Sequence, residues 1–447
     1  MTYGSTGRAA ALLAMALGWL SGWPGAASAG NDDELLVGDQ AALAGGAVTA
    51  MAEGAGALAY NPAGVMRGTD ENHIDASATV YGVRRYVTRA LLSLPTQAAD
   101  GESFLEITVV PSTLAYVRQL GRLRVGVGFF QRRATSLTLR ANVSDDSAGQ
   151  LDWRLTIVDR NQLYDAVVGT GFSPHPRLHL GFALHGLVSS TSGFIAFGGG
   201  LVDPVTRQAD YALSQSFLVS ATTVSARVSA GLQWSPTDDV SVGASIDSPA
   251  RTLYSSTTVD FSAQQQSPTN NGFATDSVDR TGLVYERFQP ARVRVGVALE
   301  RPWGWLALDG DLQPAVHRSD LDRKLVWNLR VGGLFRVTDV LQVGAGLFTD
   351  RASEHRPDSF GEARVHAYGA TLGLRFMKDR QLAPGEEAPR LRFESTFALR
   401  YAYGAGRVAG LDVAPVPDVN DPNVTSPRIS PMRVHEVSLY MGSRLSF

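Results

Sequence analysis

Arg292-Val293-Arg294-Val295-Gly296-Val297-Ala298-Leu299 alternates with a period of two. Val293, Val295, Val297 and Leu299 share one face. Arg292, Arg294, Gly296 and Ala298 share the other. Such alternation marks a strand whose two faces meet different surroundings. The arginines narrow the choice. A soluble sandwich or small barrel would bury their face, and an unpaired buried charge costs several kcal/mol. A large barrel accepts charge in its lumen while the valine face meets lipid.

The same pattern recurs along the chain. Leu178, Leu180, Phe182 and Leu184 oppose His179, Gly181, Ala183 and His185. Trp327, Leu329, Val331, Phe335 and Val337 oppose Asn328, Arg330 and Arg336. Helical periodicity is almost absent after residue 72. Candidate strands fall at 73–89, 104–119, 122–142, 151–172, 177–190, 209–234, 240–261, 283–300, 303–315, 323–337, 340–350, 363–377, 390–404 and 432–447. The expectation is an all-β, transmembrane antiparallel β-barrel of about 14 strands, an even number as in single-chain bacterial barrels. Short joins lie at 121, 173–176, 235–239, 301–302 and 338–339. Longer polar joins lie at 90–103, 143–150, 191–208, 262–282, 351–362 and 405–431. Short periplasmic turns alternating with longer outer loops fit this topology. Residues 378–389 are long for a short turn, and 316–322 short for a loop.

Composition agrees. Hydrophobic residues make up 44% of the 447 and mean hydropathy is -0.04. That average excludes a polytopic helical membrane protein but not a barrel, whose two faces cancel in the mean. A net charge of -3 gives no basic face for nucleic acid. The lack of cysteine removes disulfides, thiolate metal sites and cysteine nucleophiles.

Both termini carry export signals. Arg8 is the only charge before Asp32, residues 9–20 are apolar, and Ala27-Ser28-Ala29 is a small-x-small cleavage site. Residues 1–29 therefore read as a cleaved signal peptide. At the other end Tyr440-x-Gly442-x-x-Leu445-x-Phe447 resembles the terminal assembly signal of outer-membrane proteins, which implies the barrel-assembly machinery as a partner.

Residues 35–68 break the strand pattern. Small residues dominate from Leu35 to Gly64, without a lipid-facing stripe, so the segment can pack inside something. It ends in Tyr60-Asn61-Pro62-Ala63-Gly64. Pro62 stops any helix, and Asn61 before it is pushed to an extended conformation. In this setting, and with Pro111-Ser112-Thr113-Leu114-Ala115-Tyr116 and Gln289-Pro290-Ala291 leading later strands, the chain resembles the FadL/TodX family of outer-membrane transporters. The resemblance runs from residue 35 to the C-terminus. It implies a barrel over 72–447 plugged by residues 30–71 as an N-terminal hatch. It also implies passive, hatch-gated transport of long-chain fatty acids or similar hydrophobic molecules in a Gram-negative outer membrane, with outer-membrane lipid and the hydrophobic cargo as partners. Ligand would bind first at outer loops, then inside, and leave by a side opening. Two departures stand out: 191–208 is short for a ligand-holding loop, and Phe129-Phe130-Gln131-Arg132-Arg133 replaces the family's Pro-Phe-Gly.

Independent of the resemblance, Asn61 is a good interior latch, because its amide can both donate and accept. Its expected partners are lumen-facing Arg or Glu. Alternatives are a general diffusion porin and a structural or adhesive barrel. Ligand-contacting residues cannot be named: Arg124, Arg292, Arg294, Arg330 and Arg400 face inward and could take a carboxylate, or pair with Glu394 and Glu300. His179 and His185 are six residues apart, roughly 20 Å at strand rise, too far for one metal. Asp32-Asp33-Glu34 reads as a solvated tail. No Gly-x-Ser-x-Gly or His-Glu-x-x-His occurs, so the chain reads as a non-enzyme without cofactor or metal, although a triad is recognised by geometry that sequence does not show.

Overall fold

A computed structural model describes residues 35–68, 72–93, 98–103, 108–145, 150–202, 209–267, 270–281, 289–318, 321–353, 363–381, 390–413 and 425–447. The signal peptide and the acidic run at 32–34 lie outside them. The strands are β1 (Asn72–Ser93), β2 (Ala98–Ser103), β3 (Thr108–Leu120), β4 (Leu123–Asp145), β5 (Gln150–His175), β6 (Leu178–Val202), β7 (Ala209–Trp234), β8 (Val240–Asp247), β9 (Arg251–Ser267) and β10 (Asn270–Thr281). They continue as β11 (Arg292–Arg301), β12 (Gly304–Gln313), β13 (Val316–Arg318), β14 (Leu321–Arg323), β15 (Val326–Arg336), β16 (Leu341–Asp350), β17 (Ala363–Gln381), β18 (Arg390–Val413) and β19 (Thr425–Ser446).

Seventeen of these form one sheet, and β13 and β14 form a separate small hairpin. The sheet closes where β1 pairs antiparallel with β19, from His73↔Ser446 to Thr88↔Met432. Closure removes the exposed edges that an open sheet would present. Three pairs of strands lie end to end along shared neighbours: β2 with β3, β8 with β9, and β10 with β11. Each pair is one interrupted stave, so the seventeen strands make the fourteen staves expected. No described helix is long and apolar enough to cross a membrane.

The faces fall as the alternation predicts. Val293, Val295, Val297 and Leu299 point outward, and Arg292, Arg294 and Ala298 are buried in the lumen. One expectation fails: the longer joins are largely strand. β6 runs through residues assigned to a loop at 191–208, β9 and β10 occupy much of 262–282, and β18 and β19 enter 405–431 from both ends. β5 has 26 residues, whereas about 9–11 tilted residues cross a membrane. The staves therefore rise well beyond the lipid band.

There the chemistry of the wall inverts. Low on β4, Leu123, Val127 and Phe129 face out. High on β4, Leu137, Leu139, Ala141 and Val143 face in, although all have the same odd parity. The switch is a β-bulge between Gln131 and Arg133, where Arg132 is the extra residue opposite β5. One inserted residue sends every following side chain to the opposite face. The upper lumen is accordingly apolar: Trp153 stacks on Phe197 with ring centroids 4.9 Å apart, amid Leu139, Leu155, Ile157 and Ile195. Its outside is polar, as at Asp152, Arg154 and Arg160. The end of β1 bends into this space. Ala90 has φ +49, and Leu91 and Leu92 are fully buried, with Leu92 in parallel register with Leu411.

This inversion is testable by fluorescence. In bilayers with brominated lipid chains, a variant keeping only Trp327 should be strongly quenched. One keeping only Trp153 should be quenched little. Equal quenching would place the upper barrel in lipid.

Candidate functional site

Residues 35–68 fill the lower lumen as the hatch. Its two helices, Asp39–Leu43 and Gly54–Tyr60, have five and seven residues. Isolated helices so short are unstable in water, so the walls hold them. Alanines dominate the contact: Ala44, Ala47, Ala50 and Ala57 are fully buried in one cluster with Leu43, Leu58, Tyr60 and wall residues such as Ala183 and Ala298. Small side chains let backbone meet backbone.

The wall makes matching room. Gly171, Gly181, Gly231 and Ser245 lie side by side across β5, β6, β7 and β8. A Cβ on Gly181 would collide with the Pro62 carbonyl and the Ala63 nitrogen. One on Gly231 would strike the Asn61 side chain. Ser245 Oγ donates to the Tyr60 carbonyl at 2.8 Å. Gly243 sits against Thr49, while Gly332 and Gly346 sit against Ala44.

Every residue of the Tyr60–Gly64 motif is buried in this seat. The Tyr60 hydroxyl accepts from Val37 N at 3.2 Å. Asn61 is completely buried with φ -155, the extended backbone predicted before proline. Its Oδ1 accepts from Ala63 N at 3.2 Å, capping the 3-10 turn Pro62–Met66. Its Nδ2 donates to Thr49 O at 2.8 Å and Leu232 O at 2.9 Å, one within the hatch and one on β7. The expected Arg or Glu partners are thus replaced by backbone carbonyls, and Gln233 Nε2 shares the Thr49 carbonyl at 3.4 Å.

Further latches ring the hatch. Arg124, one of the inward arginines, caps its end: Nη1 donates to the carbonyls of Val65, Arg67 and Gly68 at 3.4, 3.3 and 3.2 Å. Asp309 accepts from Thr49 N at 2.6 Å, and Thr371 donates to Leu43 O at 3.1 Å. Arg67 pairs with Glu300 at 2.6 Å. At the closing seam, Asp75 accepts from Ala55 N at 2.7 Å and binds Arg444 at 2.7 Å, while Arg444 reaches Glu53 at 3.0 Å. Burial pushes the Glu53 carboxyl up, but the guanidiniums of Arg444 and Arg375 outweigh it and hold the group below its ordinary range. Glu53 is therefore charged at neutral pH, and its contribution fades only as acid protonates it.

The terminal signature divides between faces. Tyr440 is buried and donates to Asp39 at 2.7 Å, and Gly442 gives Asp39 its space. Phe447 points out of the barrel. Sequence reading had no means of seeing that half of this motif grips the hatch.

Above the hatch lies a band of ion pairs. Arg132 meets Asp165 at 2.5 Å, and Arg294 meets Asp247 at 3.0 Å. Arg292 and Arg330 share Asp311 at 2.8 and 2.5 Å. Arg400 pairs with Glu436, which also holds Arg84. The inward arginines therefore pair with Asp311, Asp247 and Glu436. Glu300 instead holds Arg67, and Glu394 lies near Arg375 and Arg444. Nor is the band an open wet lumen: these arginines are nearly all buried. His179 and His185 sit on the inner face, His179 beside Ser173 and His185 within the band. No group of ligands suited to a metal occurs among the described residues.

This geometry defines a hatch-plugged β-barrel. No protein-family model matches the sequence, nor does any curated protein. Solved structures do match. The Pseudomonas putida toluene transporter TodX aligns at TM-score 0.61 and 14% identity, covering 93% of this chain and 99% of that one. A Pseudomonas aeruginosa FadL homologue aligns at 0.55 and 14%, covering 92% and 98%. The Ralstonia pickettii toluene transporter TbuX aligns at 0.55 and 14%, covering 93% and 99%. The chain has the FadL/TodX barrel fold.

Replacing Asn61 with alanine removes three hydrogen bonds made by a fully buried side chain, a cost of about 1–3 kcal/mol. Asn61→Ala and Glu53→Gln should fold as barrels yet speed amide exchange across residues 49–63 at pH 7. Gly181→Val should do so far more. Unchanged exchange in all three would refute the latch assignment.

Proposed function

We propose that this chain is a passive outer-membrane channel for long-chain fatty acids or similar hydrophobic molecules, gated by its hatch. The observation that carries the reading is the plug, seated by glycines and held by single hydrogen bonds on several sides. Such a seat blocks leakage yet can be released locally. The shared fold supports this, since solved structures with it are named as toluene transporters, a FadL homologue and a monoaromatic hydrocarbon channel. The apolar upper lumen fits a cargo that leaves water readily. No step of passive transport requires catalysis. On this reading residues 1–29 direct export and are removed, the terminal Tyr440–Phe447 signature engages the assembly machinery, and the exposed apolar belt meets outer-membrane lipid.

A porin would narrow an open channel and would not need residues 35–68 as a stopper. Planar-bilayer recordings should therefore show little steady ion conductance. Cargo choice follows from saturable binding of labelled oleate set against toluene.

Gating can be tested by locking the hatch. A Cβ on Gly296 would lie 3.0 Å from Thr49 Cβ, inside the roughly 3.5–4.5 Å of a relaxed disulfide, so the two positions can be bridged once the backbones part slightly and the Asp309 side chain turns aside. Thr49→Cys with Gly296→Cys, oxidised, should abolish uptake, and reduction should restore it. Full uptake through the oxidised variant would rule out hatch movement.

A further inference from the structure

The ion-pair band contains an arrangement that transport does not use. Ser229 Oγ lies 2.9 Å from His185 Nε2. His185 Nδ1 lies 3.0 and 3.1 Å from the two carboxylate oxygens of Asp165. The three residues run diagonally across adjacent staves β7, β6 and β5, on rigid strands. We infer that Ser229, His185 and Asp165 form a nucleophilic triad that hydrolyses carboxylic esters inside the barrel.

Each role follows from the contacts. With its Nδ1 proton donated to Asp165, His185 presents the Nε2 lone pair to Ser229. The serine hydroxyl has one proton and two acceptors, because it also donates to Asp247 at 2.8 Å. Asp247 is already engaged by Arg294 at 3.0 Å and Arg227 at 3.6 Å. Asp165 carries the same orienting charge as the third member of such triads, and Arg132 fixes it through Oδ2, the oxygen nearer the imidazole.

An anion site adjoins the triad. Nη2 of Arg132 and Nε and Nη2 of Arg227 are buried and make no hydrogen bond among the described residues. Both side chains line a cavity of about 30 Å³ together with Leu163, Gln289, Pro290, Arg292 and Gln313; it holds about one water and Ser229 and His185 lie beside it, so an ester reaches the serine only as the band parts. Buried donors left in this way are costly, and they suit a site where negative charge develops. Leu163 and Leu187, two residues from Asp165 and His185 on the same faces, make an apolar patch with Ala250 for an acyl chain.

The step balances. Ser229 Oγ attacks the ester carbonyl carbon as its proton moves to His185 Nε2. The carbonyl oxygen becomes an oxyanion beside the arginines. Collapse breaks the C–O bond, and the leaving alkoxide takes the proton from His185. A water molecule then attacks the acyl-serine by the same route and releases the carboxylic acid.

The test uses the full-length barrel in detergent, with p-nitrophenyl butyrate as substrate and a fluorophosphonate as probe. Heat-dependent mobility on SDS gels reports barrel folding for every variant. The expected result is covalent probe on the peptide containing Ser229 and hydrolysis that falls at least about a hundredfold in Ser229→Ala and His185→Gln. Asp165→Asn, which removes a positioning group, should lower kcat while KM stays within about twofold. Hydrolysis equal in wild type and Ser229→Ala, or absence of probe from Ser229, overturns the inference. Uptake is measured separately, so loss of one reading leaves the other standing.

Discussion

A barrel of fourteen staves is too wide for its own side chains to fill. That constraint organises the molecule. Whatever enters the lumen must bring few unsatisfied backbone groups, because a buried peptide without partners costs more than its packing returns. The hatch meets this demand by being rich in alanine and glycine, so that its backbone lies close to the wall. Its carbonyls and amides go to Asn61, Arg124, Asp309, Thr371, Asp75 and Ser245, and the wall answers with glycine wherever backbone would collide. Glycine in a strand weakens pairing. Here that loss is offset by close approach, and the closed hydrogen-bond ladder on both sides tolerates it.

Much of this was legible in the residues. Period two with arginine on one face identified the wall, and the small-residue stretch before Pro62 read as a segment able to pack inside something, with its role as a plug implied by the resemblance to the FadL/TodX family. The inward arginines were also placed correctly. Their partners were not, because a cross-strand neighbour is set by stave order and stagger, neither of which periodicity contains. Arg330 finds Asp311 because β12 lies beside β15, not because of any spacing in the chain. The same holds for His185, whose two partners come from strands on either side.

The upper barrel was misread for a different reason. Residues there alternate weakly and are polar on the outside, so they look like loops. The bulge at Arg132 hides the change, since apolar residues keep odd numbers on both sides of it, Leu123 to Phe129 below and Leu137 to Val143 above, while their destination moves from the outer face to the lumen. Phe130-Gln131-Arg132-Arg133, four buried residues in a row, is the visible trace of that crossing. A period-two reading treats such a run as noise, although it marks where the wall leaves the membrane.

The inward bend at Ala90 carries its own consequence. Leu91 and Leu92 already occupy apolar contacts at the top of the lumen, with Leu91 packed against Gly101 and Gly410. The protein thus supplies its own occupant. An incoming molecule gains only the difference between its contacts and those it replaces, and its measured affinity is scaled by the fraction of molecules in which the tip has withdrawn. If the proposed transport holds, weak equilibrium binding and brisk passage are two aspects of one competition, set by two leucines.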